Sequence, residues 1–64
     1  GGRFVLLTPD VHEVAPERAA RLTAARWASG RRTALLVRPD GYAAWAADTP
    51  DPAAIEAALT AHVG

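Results

Sequence analysis

The chain contains no cysteine, lysine, asparagine, glutamine or methionine among its 64 residues. Without cysteine it can form no disulfide and carry out no thiol redox chemistry. Seven basic residues, all arginine, balance seven acidic residues, so the charge favours no polyanion and we expect no nucleic-acid partner. No apolar run approaches the roughly 18 residues of a membrane span, and no basic-then-apolar segment resembles a signal peptide. We therefore expect a cytoplasmic location and no membrane partner.

Large apolar side chains are scarce, because many of the residues that make the chain 50% hydrophobic are alanines. A domain of this size buries only about 60% of the surface that its unfolded chain exposes. We therefore expect one thin-cored domain over residues 1–64 that needs support from a neighbouring domain or a second copy. The large side chains expected in its core are Phe4, Val5, Leu6, Leu7, Leu22, Trp27, Leu35, Leu36, Val37, Tyr42, Trp45, Ile55, Leu59 and Val63.

The first half of the chain predicts a strand followed by a helix. Arg3–Thr8 is a short apolar run of strand formers, typical of a strand buried on both faces. Pro16 fits the first position of a helix that runs to about Ser29, where Gly30 would follow as a cap. A stripe of alanines with Trp27 is the expected buried face of this helix, although Leu22 projects to another side.

The second half predicts a hairpin and a final helix. Thr33–Arg38 and Tyr42–Ala46 are apolar runs separated by Pro39-Asp40-Gly41, a sequence typical of a tight turn with a bulge at the glycine. Asp51 can cap a helix that Pro52 begins. Within this helix Ile55, Ala58, Leu59 and His62 fall on one face, which we expect to lie on the sheet.

The hairpin carries a family resemblance. Ala34–Trp45 contains R-P-D-G-x-x-x-W and resembles the hairpin near the C-terminus of class A flavoprotein monooxygenases, which include polyketide-tailoring aromatic hydroxylases. Gly2–Thr8 resembles the first strand of the same domain, and the alanine-rich terminal helix resembles its last element. The resemblance implies a thioredoxin-like domain that has lost its redox cysteines. Together with the elements predicted from the residues, it gives an α+β fold of order β-α-β-β-α. It also implies FAD and a reduced nicotinamide, NADH or NADPH, for the parent enzyme.

The resemblance has limits that shape the expected fold. The scattered glycines build no phosphate-cradling loop, so no cofactor-binding residue is carried over to this chain. Only Gly30-Arg31-Arg32 separates the predicted first helix from the hairpin, whereas relatives have another strand and a longer connection there. We therefore expect a reduced sheet, in which a simple crossover makes the Arg3–Thr8 strand and the Thr33–Arg38 strand parallel neighbours.

Candidate chemical residues have ordinary structural explanations. His12 and His62 could in principle carry protons, but nothing in the sequence pairs them. Asp10 and Glu13 could bind a metal with His12, although a solvated turn is the simpler interpretation. Ser29 lies at a predicted helix end, and Asp48 and Asp51 belong to a helix start. Six arginines could form an anion-binding patch, although a solvated face is the simpler interpretation; they are Arg3, Arg18, Arg21, Arg26, Arg31 and Arg32. We predict no catalytic, cofactor-binding or metal-binding residue.

The residues predicted to matter are structural. Arg38 is expected to brace the turn formed by Pro39, Asp40 and Gly41, with Trp45 in the core behind it. Tyr42 and Trp27 are amphipathic aromatics suited to an interface.

Three functions follow from this interpretation. The first is a non-catalytic domain that docks on the flavin domains of its hydroxylase or on a second copy. In the second, the chain, which begins Gly1-Gly2-Arg3 without methionine, is a piece of the enzyme itself. The third is an independent protein-binding module.

Overall fold

A computed structural model describes residues 2–10, 12–27 and 32–64 of the chain. The described part is an α+β domain with one sheet and one α-helix. Its elements, in chain order, are β1 (Phe4–Thr8), a three-residue 3-10 turn (Pro16–Arg18), β2 (Leu22–Arg26), β3 (Thr33–Val37), β4 (Ala43–Asp48) and α1 (Pro52–His62). No helix within the described ranges is long and apolar enough to cross a membrane.

The sheet has four strands in the order β2-β1-β3-β4. β1 and β2 are parallel, with Phe4 opposite Leu22. β1 and β3 are antiparallel, and β3 and β4 are antiparallel. In this mixed sheet β3 therefore runs against the other three strands, and the predicted hairpin forms its β3-β4 edge.

The predicted helix from Pro16 to Ser29 is wrong over the residues that the structure describes; Ser29, its expected end, lies outside them. Pro16 does begin a helical turn, but the turn ends at Arg18 and the chain continues as β2. Alanine and arginine favour a helix, but the strand is the more stable conformation here because it hydrogen-bonds to β1 and buries Leu22. The strand period also places Leu22 and Ala24 on one face, which removes the mismatch of Leu22 in the helical pattern.

The expected reduction of the sheet is also wrong. The Thr33–Val37 strand is the antiparallel neighbour of β1, and β2 is the parallel one. Residues 9–21, called here the β1–β2 connection, are long enough for the crossover that parallel strands require. Only residues 27–32 separate β2 from β3, too few for another parallel crossover, so β3 starts at the end of the sheet where β2 stops.

The core lies between α1 and one face of the sheet. Its members are Leu6, Leu22, Leu36, Ile55, Leu59 and Val63. Phe4, Val14, Ala24, Ala44 and Trp45 pack around them. Two features of the predicted core are wrong: Tyr42 is 72% exposed, and β1 is fully buried on one face only. His62 is exposed at the end of α1, where the buried position belongs to Val63.

The other face of the sheet is apolar and lies opposite α1. The alternation of β1 and β3 places four half-buried aliphatic side chains at its centre: Val5, Leu7, Leu35 and Val37. Exposed small residues flank them on the edge strands: Thr23, Ala25, Ala43 and Ala46. No described helix covers these residues, because α1 and Val14 of the β1–β2 connection pack on the opposite side. We call this surface the open face.

Candidate functional site

The hairpin turn is built as its sequence predicts. The Gly41 amide donates to the Arg38 carbonyl oxygen at 2.9 Å, and the Arg38 amide donates to the Tyr42 carbonyl oxygen at 2.7 Å. Gly41 has a φ of +94°, which is the conformation that a glycine bulge after a tight turn requires. A second irregularity follows, because Leu36 pairs with Trp45 whereas Val37 pairs with Ala43. This shift turns β4 so that both Ala44 and Trp45 pack on the core.

Arg38 makes the kind of contact that was expected of it. Its Nη2 lies 2.7 Å from Oδ2 of Asp40, and the other oxygen of that carboxylate accepts from the Tyr42 amide at 3.2 Å. Both charged side chains are about half exposed, so the ion pair lies in solvent at the tip of the hairpin. Pairs of this kind contribute little to stability, and the turn depends more on Gly41 than on Arg38.

The predicted interface aromatics have different environments. Tyr42 is exposed beside the turn, on the rim of the domain. Trp27 continues β2: its amide donates to the Thr8 carbonyl oxygen at 3.0 Å and its indole nitrogen donates to the Thr33 carbonyl oxygen. Trp27 thus joins the ends of three strands, and a role at an interface stays a prediction for both residues.

A small cleft opens at the carboxyl end of β1, next to the start of α1. Its volume is about 100 Å³, and its lining consists of Thr8, Pro9, Asp10, His12, Pro50, Pro52 and Ile55. Thr8 is buried, and its hydroxyl donates to the Asp10 carbonyl oxygen. Thr49, before Pro50, has a φ of +43°, a strained conformation for a β-branched residue. Sequence reasoning did not find this cleft, which forms from segments more than 35 residues apart.

His12 belongs to a polar network that holds the β1–β2 connection on α1. Its Nε2 lies 2.7 Å from Oε2 of Glu56, and Arg18 Nη1 donates to Oε1 of the same carboxylate at 2.8 Å. Arg18 also donates to the Thr60 hydroxyl at 3.0 Å and to the Gly64 carbonyl oxygen at 3.2 Å. The hydrogen bonds from His12 and Arg18 hold the pKa of the Glu56 carboxyl below its ordinary value.

The arrangement of this network is that of a brace. Both Glu56 oxygens are engaged, and His12 and Arg18 are largely buried against the helix. No group of three or more metal-ligating side chains occurs among the described residues. Sequence reasoning missed Glu56 and Thr60; their spacing of four on α1 was the available signal, because it places them side by side.

The arginines do not form one anion-binding patch in the part of the chain that the structure describes. Arg18 and Arg21 lie at the end of α1, and Arg21 Nη1 donates to the Val63 carbonyl oxygen at 3.1 Å. Cations are favoured there by the negative end of the helix dipole. Arg3 precedes β1 whereas Arg26 ends the parallel β2, so these two lie at opposite ends of the sheet. Arg31 lies outside the described residues.

The acidic candidates are structural. Asp51 Oδ1 accepts from the Ala54 amide at 2.8 Å and so caps α1, as predicted. Asp48 accepts from the Thr33 hydroxyl at 3.0 Å across the hairpin. The two carboxylates serve different elements and do not form an acid–base pair.

The residues that the structure describes do not form a turn that could bind the pyrophosphate of a flavin dinucleotide. A pyrophosphate needs a glycine-rich turn at a helix N-terminus, where free amides can point at it. The start of α1, the single α-helix in the described residues, is taken up by the Asp51 carboxylate and by Pro52. A phosphate would meet a like charge at that position, so no step of flavin chemistry is assigned to this chain.

These features define a small α+β domain with a braced helix on one face of a mixed sheet and an apolar open face on the other. The chain matches the family described as aromatic-ring hydroxylase, C-terminal, over residues 1–64. It therefore belongs to the family of aromatic-ring hydroxylase C-terminal domains. No curated protein and no solved structure matches it significantly.

Proposed function

We propose that this chain is a non-catalytic, thioredoxin-like domain of a FAD-dependent aromatic hydroxylase, which it stabilises by docking on the catalytic part of the enzyme. The observation that carries the proposal is the match to the hydroxylase C-terminal family over the whole chain. FAD and a reduced nicotinamide then belong to the parent enzyme, a monooxygenase of the cytoplasm. Family membership favours this function over an independent binding module.

The strand arrangement supports the thioredoxin-like fold. The order β2-β1-β3-β4, with β3 antiparallel to the other strands and a helix after β4, is that of the central strands in such domains. The helix that usually links the first two strands is reduced here to the Pro16–Arg18 turn.

The engagement of the polar side chains supports a non-catalytic role. The most reactive candidate, His12, is bound to Glu56, and that carboxylate is held by Arg18 as well. A thiol mechanism is excluded because the chain has no cysteine. The polar network thus holds the β1–β2 connection on α1, a structural use of these side chains that a docking domain needs.

The test uses the hydroxylase polypeptide that contains this domain. His12→Gln is compared with the control Glu13→Gln, an exposed residue of the same connection. We expect both variants to keep the turnover number per bound flavin within about twofold of the parent. A loss of more than tenfold in His12→Gln alone would show that the domain takes part in chemistry.

A second variant lacks the domain. We expect it to bind FAD and to melt several degrees lower than the intact enzyme, because it has lost a supporting surface. An unchanged melting temperature would contradict the docking role and favour an independent module.

A further inference from the structure

The open face is an apolar surface of the sheet on which no described helix packs. Its centre is formed by the four half-buried aliphatic side chains of β1 and β3, Val5, Leu7, Leu35 and Val37. Among the described residues of this face, charged side chains lie only at its ends, with Arg3 before β1 and Asp48 at the end of β4. An apolar centre with a polar rim is the anatomy of protein–protein interfaces. A partner for this face has to present an uncharged, apolar surface.

The area of the open face determines how such a partner must be held. Four strands spaced about 4.8 Å apart and about five residues long cover roughly 300 Å². A stable complex of free proteins buries about 800 Å² on each partner, so two separate copies meeting through this face would associate weakly. Interfaces between domains of one polypeptide bury about 600 to 1,500 Å² in total, a range that this face reaches when both sides are counted.

We propose that the open face is the docking surface for the catalytic part of the same hydroxylase polypeptide, and that α1 faces solvent. This proposal rests on the proposed function and names the surface that performs it. Covalent linkage raises the effective concentration of the partner to about the millimolar range, which compensates for the small area. The opposite side is already sealed, because α1 and the network of His12, Arg18 and Glu56 close it.

The absence of cysteine allows a direct test by site-specific labelling. Three exposed alanines are replaced singly by cysteine in the full hydroxylase polypeptide: Ala25→Cys and Ala46→Cys at the two edges of the open face, and Ala57→Cys on the outer side of α1 as the control. The rate of maleimide labelling of each site is measured by peptide mass spectrometry. Each native rate is divided by the rate for the same site in denaturant, which removes intrinsic differences in reactivity.

We expect the normalised rates at positions 25 and 46 to be at least tenfold lower than at position 57. Protection of position 57 alone would overturn the choice of face and leave the proposed function standing. Equal labelling of all three sites would contradict both proposals, since the domain would then not dock. Equal protection of all three would also overturn the assignment to one face.

The mass of the hydroxylase in solution shows whether a second copy, instead of the same polypeptide, covers the open face. If protection of positions 25 and 46 disappears on dilution together with dissociation of a dimer, a second copy covers the face and the proposed occupant is wrong. Protection that persists in the monomer supports docking within one polypeptide.

Discussion

Leu35 and Leu36 are adjacent in β3 and lie on opposite faces of the sheet. Leu36 lies beneath α1 and is 0% exposed to solvent, whereas Leu35 is half-buried on the open face. The alternation of a strand makes this pair a probe of where the core lies. Truncation of Leu36 leaves a cavity among the other core side chains. Truncation of Leu35 removes apolar surface from the open face, on which no described helix packs.

We expect Leu36→Ala to lower the free energy of unfolding by about 2 to 5 kcal/mol, and the matched control Leu35→Ala to lower it by less than half as much. Urea unfolding of the 64-residue chain, followed by tryptophan fluorescence, measures both values. Equal losses would place the core on both faces of the sheet and argue against an open face.

Gly41 is required for its backbone conformation alone. A Cβ at this position would meet no atom within 4 Å, so the penalty for alanine comes from its φ of +94°. Gly41→Ala is expected to destabilise the chain by about 1 to 2 kcal/mol, and Gly41→Asn by less, because asparagine tolerates this conformation better. Thermal unfolding measured by circular dichroism compares the two. An alanine variant as stable as the parent would mean that the turn does not need a positive φ.

Asp51 caps α1, the single α-helix of the described residues, and that helix supplies Ile55 and Leu59 to the core. Its carboxylate satisfies the Ala54 amide, an amide that has no partner within the helix. Asp51→Ala should lower stability by about 1 kcal/mol, while Asp51→Asn, which keeps the capping oxygen, should stay close to the parent. Urea unfolding gives both values, and an equal loss in the two variants would assign the effect to charge and not to capping.

The bonds to Glu56 make stability depend on pH on the acid side. Hydrogen bonds from His12 and Arg18 hold the pKa of this carboxyl below its ordinary value of 4.5 in the folded chain. The unfolded chain therefore takes up the proton first, so this contribution to stability is present above pH 4.5 and is lost as the pH falls through the lower pKa of the folded state.

We expect Glu56→Gln to flatten the acid limb of the stability profile, whereas Glu13→Gln, the exposed control, leaves that limb steep. Urea midpoints between pH 6 and pH 3 measure the difference. Parallel profiles for Glu56→Gln and the parent would show that the network does not lower the pKa of Glu56.

Arg18 and Arg38 both form ion pairs, but their burial differs. The Arg18 side chain is 14% exposed and bonds Glu56, Thr60 and the end of α1, whereas the Arg38 side chain is 54% exposed. We expect Arg18→Ala to destabilise the chain by about 1 to 3 kcal/mol, since three hydrogen bonds of a charged group are lost. Arg38→Ala should change stability by no more than about 0.5 kcal/mol. Denaturation midpoints of the two variants show whether the Arg18 contacts or the Arg38–Asp40 ion pair contribute more to stability.

The hairpin and the start of α1 were predicted correctly because their signals in the sequence are local. Pro39-Asp40-Gly41 specifies a tight turn through proline, a short polar side chain and a glycine, so the hairpin was predicted correctly. Asp51 and Pro52 specify the start of α1 in the same way, and the periodicity of Ile55, Ala58 and Leu59 identifies its buried face. Each of these signals depends on residues no more than a few positions apart.

Three features depend on long-range contacts and could not be predicted from local patterns: the strand at Leu22–Arg26, the strand order, and the contact between His12 and Glu56. Alanine and arginine favour a helix in isolation, and the preference for a strand arises only because β1 offers an open edge and α1 offers cover for Leu22. His12 and Glu56 are 44 residues apart, and their contact exists because the β1–β2 connection and α1 lie on the same side of the sheet. The energies of strand pairing, of burial and of this contact arise where distant segments of the chain meet, and no local pattern of residues encodes them.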